Sequence, residues 1–296
     1  MTSREIDVAA ARRRFERAAA TYGEVAVLAR EVERRMGERL EFIRNDPGCV
    51  LDAGCGPGAG LSLLRKRYPK ARLVGVDNAT TMVRSARRAP TIVDRARGYL
   101  AGAARSHVCA DLARLPLADG SMGMVWSNLA LAWAAHPPGA LAEFARVLQA
   151  QGLLMFSTYG PDTLKELRMA FANVDGYPHV HRFIDMHDLG DMLVAAGFAD
   201  PVMDMEFVTL SYADVAALAR DLRLSGQSNV HPGRRRGLMA PGAWNRMAGG
   251  YEELRRDQRL PATFEIVYGH AWRGEPRTSR GGPQPVKVQF PRKKAN

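Results

Sequence analysis

Apolar residues near the start of the chain recur every three or four positions, which is the period of a helix with one buried face. The pattern comprises Phe15, Ala18, Ala19 and Tyr22, and then Val25, Leu28, Val32, Met36, Leu40 and Ile43. It predicts two amphipathic helices over residues 4–44. The following Asp46-Pro47-Gly48 combines turn-forming residues and predicts the end of this helical region.

From residue 49 onwards the pattern changes to short apolar runs that alternate with helical segments. The predicted strands are CVLDAG, ARLVGVD, HVCAD, GMVWSNLAL and GLLMFSTY, and the predicted helices between them are GLSLLRKRY, TTMVRSARRA and PPGALAEFARVLQ. Strands and helices that alternate in this way are typical of a mainly parallel sheet. The sequence therefore predicts an α/β, Rossmann-like fold with five of its strands in place by residue 159.

The remainder of the chain completes this arrangement. A helical insertion is predicted over about residues 162–196, after strand 5, and VMDMEFVTL and PATFEIVYGHAW predict two further strands. These strands would complete a seven-stranded sheet as an antiparallel pair. We expect an N-terminal helical cap over residues 1–46, one domain over residues 47–275, and a basic, Pro/Gly-rich flexible tail over residues 276–296.

Composition narrows the class of protein. Hydrophobic residues make up 46% and charged residues 25% of the 296 positions, as in ordinary globular proteins. No stretch approaches the ~20 apolar residues needed to span a bilayer, and the N-terminus has no hydrophobic signal segment, so we expect a soluble, cytoplasmic protein. Cys49, Cys55 and Cys109 lie inside or beside apolar runs, which favours buried thiols over disulfides.

The net charge of +11 raises the question of a nucleic-acid partner. The basic residues are spread over the N-terminal helices, Arg84–Arg97, Arg234–Arg236 and the tail, with no aromatic-interleaved basic motif among them. We therefore expect neither a nucleic acid nor a membrane as partner. A positive field also suits an acidic protein, because opposite charges steer encounter.

The densest chemical signal is VLDAGCGPGAG, in which a strand ends and a glycine-rich turn leads into a helix. Glycine is needed at Gly54, Gly56 and Gly58 because a side chain would block the approach of a ligand to the backbone, and because such turns often require positive φ. Asp77 ends the next strand, 21 residues after Gly56, where an acid accepts hydrogen bonds from ribose hydroxyls. The glycine-rich turn and Asp77 would suit a nicotinamide cofactor equally well.

Three further residues favour S-adenosylmethionine over a dinucleotide. Asp52 precedes the glycines and would repel a pyrophosphate, but it would accept a hydrogen bond from the ammonium of a methionine moiety. Pro57 would disturb a helix start that cradles a pyrophosphate. Asp111 ends the third strand with another acid.

Three motifs, LDAGCGPG, GVDNATTM and CADLARLPLADGSMGMVWSNLALAW, resemble those of the class I S-adenosylmethionine-dependent methyltransferases, over about residues 10–275. FERAAATYGEVAVLAR, WSNLALAW, FSTYGPDTLKELR and YPHVHRFIDMHDLGDMLVAAGF are similar, more specifically, to the malonyl-[acyl-carrier protein] O-methyltransferases of biotin synthesis. SGQSN and PATFEIVYGHAW also resemble mitochondrial complex I assembly factors that keep this fold but are assigned an arginine hydroxylase role. That second resemblance leaves another substrate open.

The resemblance to the methyltransferases implies S-adenosylmethionine as cofactor and the free carboxylate of malonyl-loaded acyl-carrier protein as methyl acceptor. The product would be the malonyl methyl ester that enters biotin synthesis. The implied site residues are Gly54 and Gly56 against the cofactor, Asp77 at the ribose with Asn78 and Met82 in the same motif, Asp111 and Leu112 at the adenine, and Asn128 on the path to the methyl group.

A carboxylate is already ionised at neutral pH and attacks a sulfonium methyl without a general base, so no catalytic triad is expected. The increase in reaction rate would come from holding the carboxylate close to the methyl group and from removing water from around the carboxylate. Arg182, in the insertion, is predicted to hold the malonyl carboxylate, because a guanidinium donates two hydrogen bonds to a carboxylate. The alternative is that Arg182 lies on the surface and pairs with Asp185 or Asp188.

Two aromatic residues are also candidates for the substrate site. Tyr22 would either close over the cofactor and the carboxylate or pack its own helix. Trp133 would form a wall of the substrate pocket or lie in the core.

A cluster of histidines in the insertion raises the question of a metal. His179, His181 and His187 lie close in sequence, but their spacing offers no carboxylate or cysteine partner in a recognised ligand pattern. We therefore expect no metal site. His136, beside Pro137, is expected to lie in a loop.

Overall fold

The computed structural model describes residues 6–88 and 105–274. Within them the strands are β1 (Cys49–Ala53), β2 (Arg72–Asp77), β3 (Arg105–Cys109), β4 (Met122–Ser127), β5 (Leu148–Tyr159), β6 (Phe198–Tyr212) and β7 (Leu260–Arg273). The α-helices are α1 (Val8–Ala18), α2 (Tyr22–Val25), α3 (Val27–Glu41), α4 (Ala59–Arg67), α5 (Thr80–Arg88), α6 (Pro137–Val147), α7 (Lys165–Phe171), α8 (Met186–Ala195), α9 (Val215–Leu224) and α10 (Pro241–Glu252). A short 3-10 helix spans Leu131–Trp133.

The described strands form one sheet in the order β3-β2-β1-β4-β5-β7-β6. Neighbours from β3 to β5 are parallel, whereas β7 runs antiparallel to both β5 and β6. The predicted fold class, a seven-stranded, mainly parallel sheet with a late antiparallel pair, is therefore confirmed. The parallel strands all present their carboxyl ends at one edge of the sheet, and the glycine-rich turn after β1 lies at that edge.

Helices cover both faces of the sheet, so each face has its own hydrophobic core. Val50 of β1 packs in one core with Val32 and Met36 of α3. The next residue, Leu51, packs in the other core with Phe144 of α6. Successive side chains of a strand point to opposite faces, and burial on both faces explains the continuous apolar run in β1.

Residues 6–44 contain three helices rather than the two predicted. The side chain of Asp7 accepts a hydrogen bond from Ala10 N and caps the start of α1, which ends at Ala18. Thr21 Oγ1 then donates to Leu224 O at 2.9 Å. This contact with the end of α9 accompanies the turn that separates α1 from α2, so a tertiary interaction interrupts the helical period of the sequence.

The predicted insertion over about residues 162–196 contains α7 and α8, joined by a segment without regular secondary structure over residues 172–185. A second helical segment, formed by α9 and α10, lies between β6 and β7 and is missing from the sequence prediction. Its helices do carry start signals. The Asp214 side chain accepts a hydrogen bond from Ala217 N, and Pro241 occupies the first turn of α10.

The cysteines follow the sequence prediction only in part. All three are free. Cys55 is buried and Cys49 half-buried, but Cys109 is exposed. Burial is wrong for Cys109 because it ends β3, which is the edge strand of the sheet.

Two predicted features lie outside the described residues. They are the flexible tail over residues 276–296 and the part of the basic run Arg84–Arg97 that falls within residues 89–104. Among the helices of the described ranges, none is long and apolar enough to cross a membrane.

Candidate active site

A cavity lies at the carboxyl edge of the sheet, over the ends of β1, β2 and β4. The implied cofactor residues that line it are Gly54, Gly56, Asp77, Asn78, Met82, Asp111 and Leu112. Tyr22 and Asn128 line the same cavity. Asp52 and Arg182 are the two predicted site residues that do not reach its lining.

The glycine-rich turn leaves its backbone open to a ligand. Gly54 has a φ of 85°, and a Cβ added to it would lie 2.1 Å from the Cβ of Ala130. Gly56 has a φ of 49°, and a Cβ added there would meet no atom within 4 Å. Gly54 N and Cys55 N donate to Val76 O at 2.7 and 2.9 Å, which ties the turn to the end of β2. Glycine is therefore required at Gly54 by both conformation and space.

Asp77 connects this turn to the start of α5. Its Oδ2 accepts a hydrogen bond from Gly56 N at 3.0 Å, and its Oδ1 accepts one from Ala79 N at 2.8 Å. Burial raises the pKa of Asp77 above its ordinary value, and the two backbone hydrogen bonds oppose that rise. Each oxygen keeps capacity for one more hydrogen bond. A nucleoside ribose beside an open glycine turn fits these residues, as S-adenosylmethionine requires.

Asp52 lies behind the turn rather than in the cavity. It is 2% exposed, and Glu33 of α3 approaches it. A Cβ added to Gly60 would lie 2.5 Å from Glu33 Oε1 and 2.7 Å from Asp52 Oδ2, so the two carboxyl groups are neighbours. Burial raises the pKa of Glu33 to about 7 and that of Asp52 well above its usual range. Because Asp52 does not line the cavity, the structure does not bring its carboxyl group to the ammonium group of a cofactor bound there.

Tyr22 and Asn128 line the same cavity as the glycine turn. Tyr22 begins α2, rather than ending the first helix as the sequence suggests. Burial and then the nearby carboxylates of Glu33 and Asp77 raise the pKa of Tyr22, so its hydroxyl stays a hydrogen-bond donor at neutral pH. The Asn128 side chain is fixed at both ends, because Nδ2 donates to Ala29 O at 2.9 Å and Oδ1 accepts from Ser157 Oγ at 2.8 Å.

Arg182 is exposed and does not line the cavity. The preceding residue, His181, is buried, and Val230 N donates to its Nε2 at 2.7 Å. His181 and Phe183 on either side of Arg182 line the second cavity, whereas Arg182 itself is exposed to solvent. The structure therefore does not support Arg182 as the carboxylate clamp.

Two lining residues were less visible in the sequence. Trp133, which the sequence leaves between pocket wall and core, lies in the wall, edge-on to Phe15 and to His181 at ring-centroid distances of 5.1 and 5.5 Å. Gln227 lines the cavity from the segment after α9. No motif points to Gln227; the positive φ of 77° at Gly226, which ends the helix, is the local signal that could have marked it.

The three histidines of the insertion make separate contacts. His179 Nε2 and Asp175 Oδ1 are 2.8 Å apart, and the ring stacks on Phe171. His187 is exposed beside Asp185, which caps α8. His181 faces Val230 instead.

Comparisons with known proteins agree on one family. A family model described as "Methyltransferase domain" matches residues 51–156. A malonyl-[acyl-carrier protein] O-methyltransferase of Laribacter hongkongensis (strain HLHK9) is 55% identical over 274 residues, which covers 93% of this chain and 92% of that protein. A protein of the same name from Gallionella capsiferriformans (strain ES-2) is 50% identical over 285 residues, with 96% and 97% covered.

Solved structures share the fold at low identity. The YcgJ protein of Bacillus subtilis superposes with a TM-score of 0.57 at 15% identity, covering 83% of this chain and all (100%) of that chain. A SAM-dependent methyltransferase from Thermotoga maritima gives a TM-score of 0.51 at 17% identity, covering 89% of this chain and 99% of that chain. At these identities the likeness concerns the fold alone.

The relatives give no support to the hydroxylase-like alternative. The glycine turn and Asp77 form a cradle that fits the cofactor of the matched family. This chain belongs to the malonyl-[acyl-carrier protein] O-methyltransferases and is an S-adenosylmethionine-dependent methyltransferase.

Proposed function

We propose that this chain transfers a methyl group from S-adenosylmethionine to the free carboxylate of malonyl-[acyl-carrier protein]. The product is the malonyl methyl ester that enters biotin synthesis. One observation supports a carboxylate as the methyl acceptor. The ionisable residues among those described in the cavity lining are Tyr22, Asp77 and Asp111, and none of them is suited to remove a proton from an acceptor.

The two acids belong to the cofactor end of the cavity, and the raised pKa of Tyr22 keeps its hydroxyl protonated. A hydroxyl or ammonium acceptor must lose a proton before or during methyl transfer, and that proton needs a base. A carboxylate is ionised at neutral pH and needs none. Bound S-adenosylmethionine supplies a methyl group on a sulfonium sulfur, which a carboxylate oxygen takes as the carbon–sulfur bond breaks and sulfur keeps the electron pair.

The lining residues then divide by role. Gly54 and Gly56 let the cofactor approach the backbone, Asp77 accepts from the ribose with Asn78 and Met82 beside it, and Asp111 and Leu112 meet the adenine. Tyr22 donates a hydrogen bond at the acceptor carboxylate, and Asn128 forms the rigid wall at the methyl group. Val8, Ala11 and Phe15 of the N-terminal cap line the cavity and exclude water from the site in the domain over residues 47–275.

Support for the carrier-bound substrate comes from the names of the relatives, which are malonyl-[acyl-carrier protein] O-methyltransferases. The proposal requires an acyl-carrier protein as partner and requires neither a nucleic acid nor a membrane. It places the reaction in the cytoplasm, and no metal takes part.

The test is an assay of the purified chain with S-adenosylmethionine and malonyl-loaded acyl-carrier protein, read by mass spectrometry. We expect the malonyl group to gain the mass of one methylene unit. Acetyl-loaded carrier protein, which lacks the free carboxylate, is the matched control and should remain unchanged. Cofactor binding without any gain on the malonyl group would overturn the proposed acceptor.

A further inference from the structure

A second, smaller cavity adjoins the cofactor cavity. Trp133 and Gln227 line both and so mark the junction between them. The walls of the second cavity are mostly apolar and aromatic, with contributions from Leu167, Phe183, Leu222 and Phe264. Such a cavity suits an acyl chain whose polar end reaches the junction.

Gln227 is held at this junction by its neighbours. Gly226 has a φ of 77°, and a Cβ added to it would lie 2.8 Å from Phe15 Cδ1, so the chain passes closely over α1 here. The Tyr159 hydroxyl donates to Gln227 Oε1 at 2.9 Å. Burial raises the pKa of Tyr159, which keeps this hydroxyl a donor. The amide therefore has a defined orientation, with its oxygen towards Tyr159.

The amide nitrogen of Gln227 donates to no described residue, although the side chain lines both cavities. Its two hydrogens are therefore available to a ligand at the junction. His179 and His181 also line the second cavity. His179 Nε2 lies 2.8 Å from Asp175 Oδ1, and burial lowers the pKa of His181 to about 4, so the His181 ring is neutral at pH 7. No Arg or Lys of the described ranges lines either cavity.

Neutral donors have an advantage over a guanidinium in this reaction. The acceptor carboxylate loses its charge as it takes up the methyl group, so the interaction with a cation would be strongest before the transition state. An interaction that favours the ground state does not accelerate the chemical step. The amide of Gln227 and the hydroxyl of Tyr22 are neutral, so they can orient the carboxylate while stabilising its charge less than a guanidinium would.

We propose that Gln227 holds the acceptor carboxylate at the junction of the two cavities, and that the second cavity receives the acyl thioester end of the substrate. Tyr159 is a positioning residue that fixes the amide orientation of Gln227. This inference rests on the proposed function, because it assigns the binding of that same carboxylate.

The test uses the full chain with malonyl-loaded carrier protein and S-adenosylmethionine. Gln227→Leu removes both donors, and kcat/KM for the malonyl substrate should fall about tenfold to a hundredfold, as for the loss of a hydrogen bond to a charged group. Cofactor affinity measured by calorimetry should stay at the wild-type value, which also shows that the variant folds. Gln149→Leu, an exposed Gln at the start of β5, is the matched control and should have no effect.

Two further variants separate substrate contact from packing. Gln227→Glu can still accept from Tyr159 but places a carboxylate against the substrate carboxylate, so it should lose more activity than Gln227→Leu. A packing role predicts the reverse order. Tyr159→Phe should lower kcat/KM by a smaller factor, and it should add nothing to Gln227→Leu, because it acts through Gln227.

Wild-type turnover in the same assay distinguishes the two proposals. If the wild-type chain does not methylate malonyl-loaded carrier protein, the proposed function and the role of Gln227 are both overturned. If the wild-type chain is active and Gln227→Leu matches it, or if Gln227→Glu is the milder variant, only the role of Gln227 is overturned.

Discussion

The two halves of the active-site cavity differ in how the chain builds them. The cofactor half uses the ends of three strands, β1 to β3, and all of its proposed contacts fall within residues 54–112. The acceptor half, taken together with the second cavity, draws on the N-terminal helices, residues 128–135, the insertion and the segment after α9. Parallel strand ends meet at one edge because of the sheet itself, whereas the acceptor half needs contacts between distant parts of the chain.

The hydrogen bonds of each half reflect this difference. Backbone bonds from Gly54 and Cys55 to Val76 O hold the cofactor turn against the neighbouring strand. The acceptor side depends on the bond between Tyr159 and Gln227, which are 68 residues apart in sequence. Each half therefore has its own support, and we expect a substitution in one half to leave binding in the other largely unchanged.

The largest effect should follow Gly54→Ala in the cofactor half. The substitution forces a side chain into a positive φ and places its Cβ 2.1 Å from Ala130 Cβ. Strain of about 1–3 kcal/mol and the displaced wall should together weaken cofactor binding at least about a hundredfold. Calorimetric titration measures this affinity. Gly23→Ala, where an added Cβ meets nothing within 4 Å, is the control and should bind normally; equal affinities would contradict the proposed turn.

Glu33→Gln tests the place where α3 meets the cofactor half, behind the glycine turn. The folded-state pKa of Glu33 is raised from 4.5 to about 7 by burial. Its neutral form therefore stabilises the fold fully below about pH 4.5, and that contribution is lost as pH rises towards 7. The loss amounts to about 3 kcal/mol in the free energy of unfolding. Gln cannot ionise, so the variant should gain that much relative to wild type between pH 4 and pH 8.

Urea unfolding at several pH values measures this difference. Glu38→Gln, on the exposed side of the same helix, is the control and should leave the pH profile unchanged. Parallel profiles for wild type and Glu33→Gln would mean that Glu33 ionises normally in the folded protein.

Asp77→Ala should have a smaller but selective effect. Loss of a charge-assisted hydrogen bond to the ribose costs about 1.5–3 kcal/mol, so cofactor affinity should fall at least about tenfold. The KM for the malonyl substrate, measured at saturating cofactor, should change little if the halves are independent. Unchanged cofactor affinity in the folded variant would remove Asp77 from the ribose site.

The same contrast explains what the sequence predicts well. The sheet and the cofactor turn follow from local patterns, since apolar runs mark strands and the glycines mark the turn. Helices α9 and α10 were also accessible, because Asp214 and Pro241 mark their starts, but the prediction overlooked those signals. The fold and the cofactor half of the site can therefore largely be predicted from local patterns of consecutive residues.

The acceptor half is much harder to predict from the sequence, as Arg182 and Gln227 illustrate. Chemistry alone favours a guanidinium for a carboxylate, yet Arg182 is exposed and lies outside the lining of the cavity. Gln227 has no motif, and its position depends on Tyr159 from a distant strand. Asp52 also lies outside the cavity lining, and its neighbour Glu33 comes from a helix before the domain. Tertiary contacts of this kind leave no periodic signal in the sequence.

The smallest expected effect concerns the outer surface of the acceptor half, where α1 carries exposed arginines. Arg13 and Arg17 are exposed on the helix that lines the cavity through Ala11 and Phe15. An acidic carrier protein that delivers its acyl group to the junction of the two cavities would meet their charge, because Phe15 and Ala18 of α1 pack against Gly226 beside that junction. Attraction between exposed charges is worth about 0.2–1 kcal/mol per pair and is screened beyond about 8 Å at physiological salt. The double variant Arg13→Gln/Arg17→Gln should therefore raise KM for malonyl-loaded carrier protein about threefold to tenfold at low salt.

The matched control removes the same charge from the opposite edge of the sheet. Arg44 and Arg72 are exposed near the starts of β1 and β2, and their double substitution by Gln should leave KM unchanged. Added salt should raise the wild-type KM towards that of Arg13→Gln/Arg17→Gln, because it screens the same interaction. A small malonyl thioester without the carrier protein should be methylated equally by all these proteins. Equal KM shifts in the two double variants would mean that net charge, rather than a docking face beside the acceptor half, attracts the carrier protein.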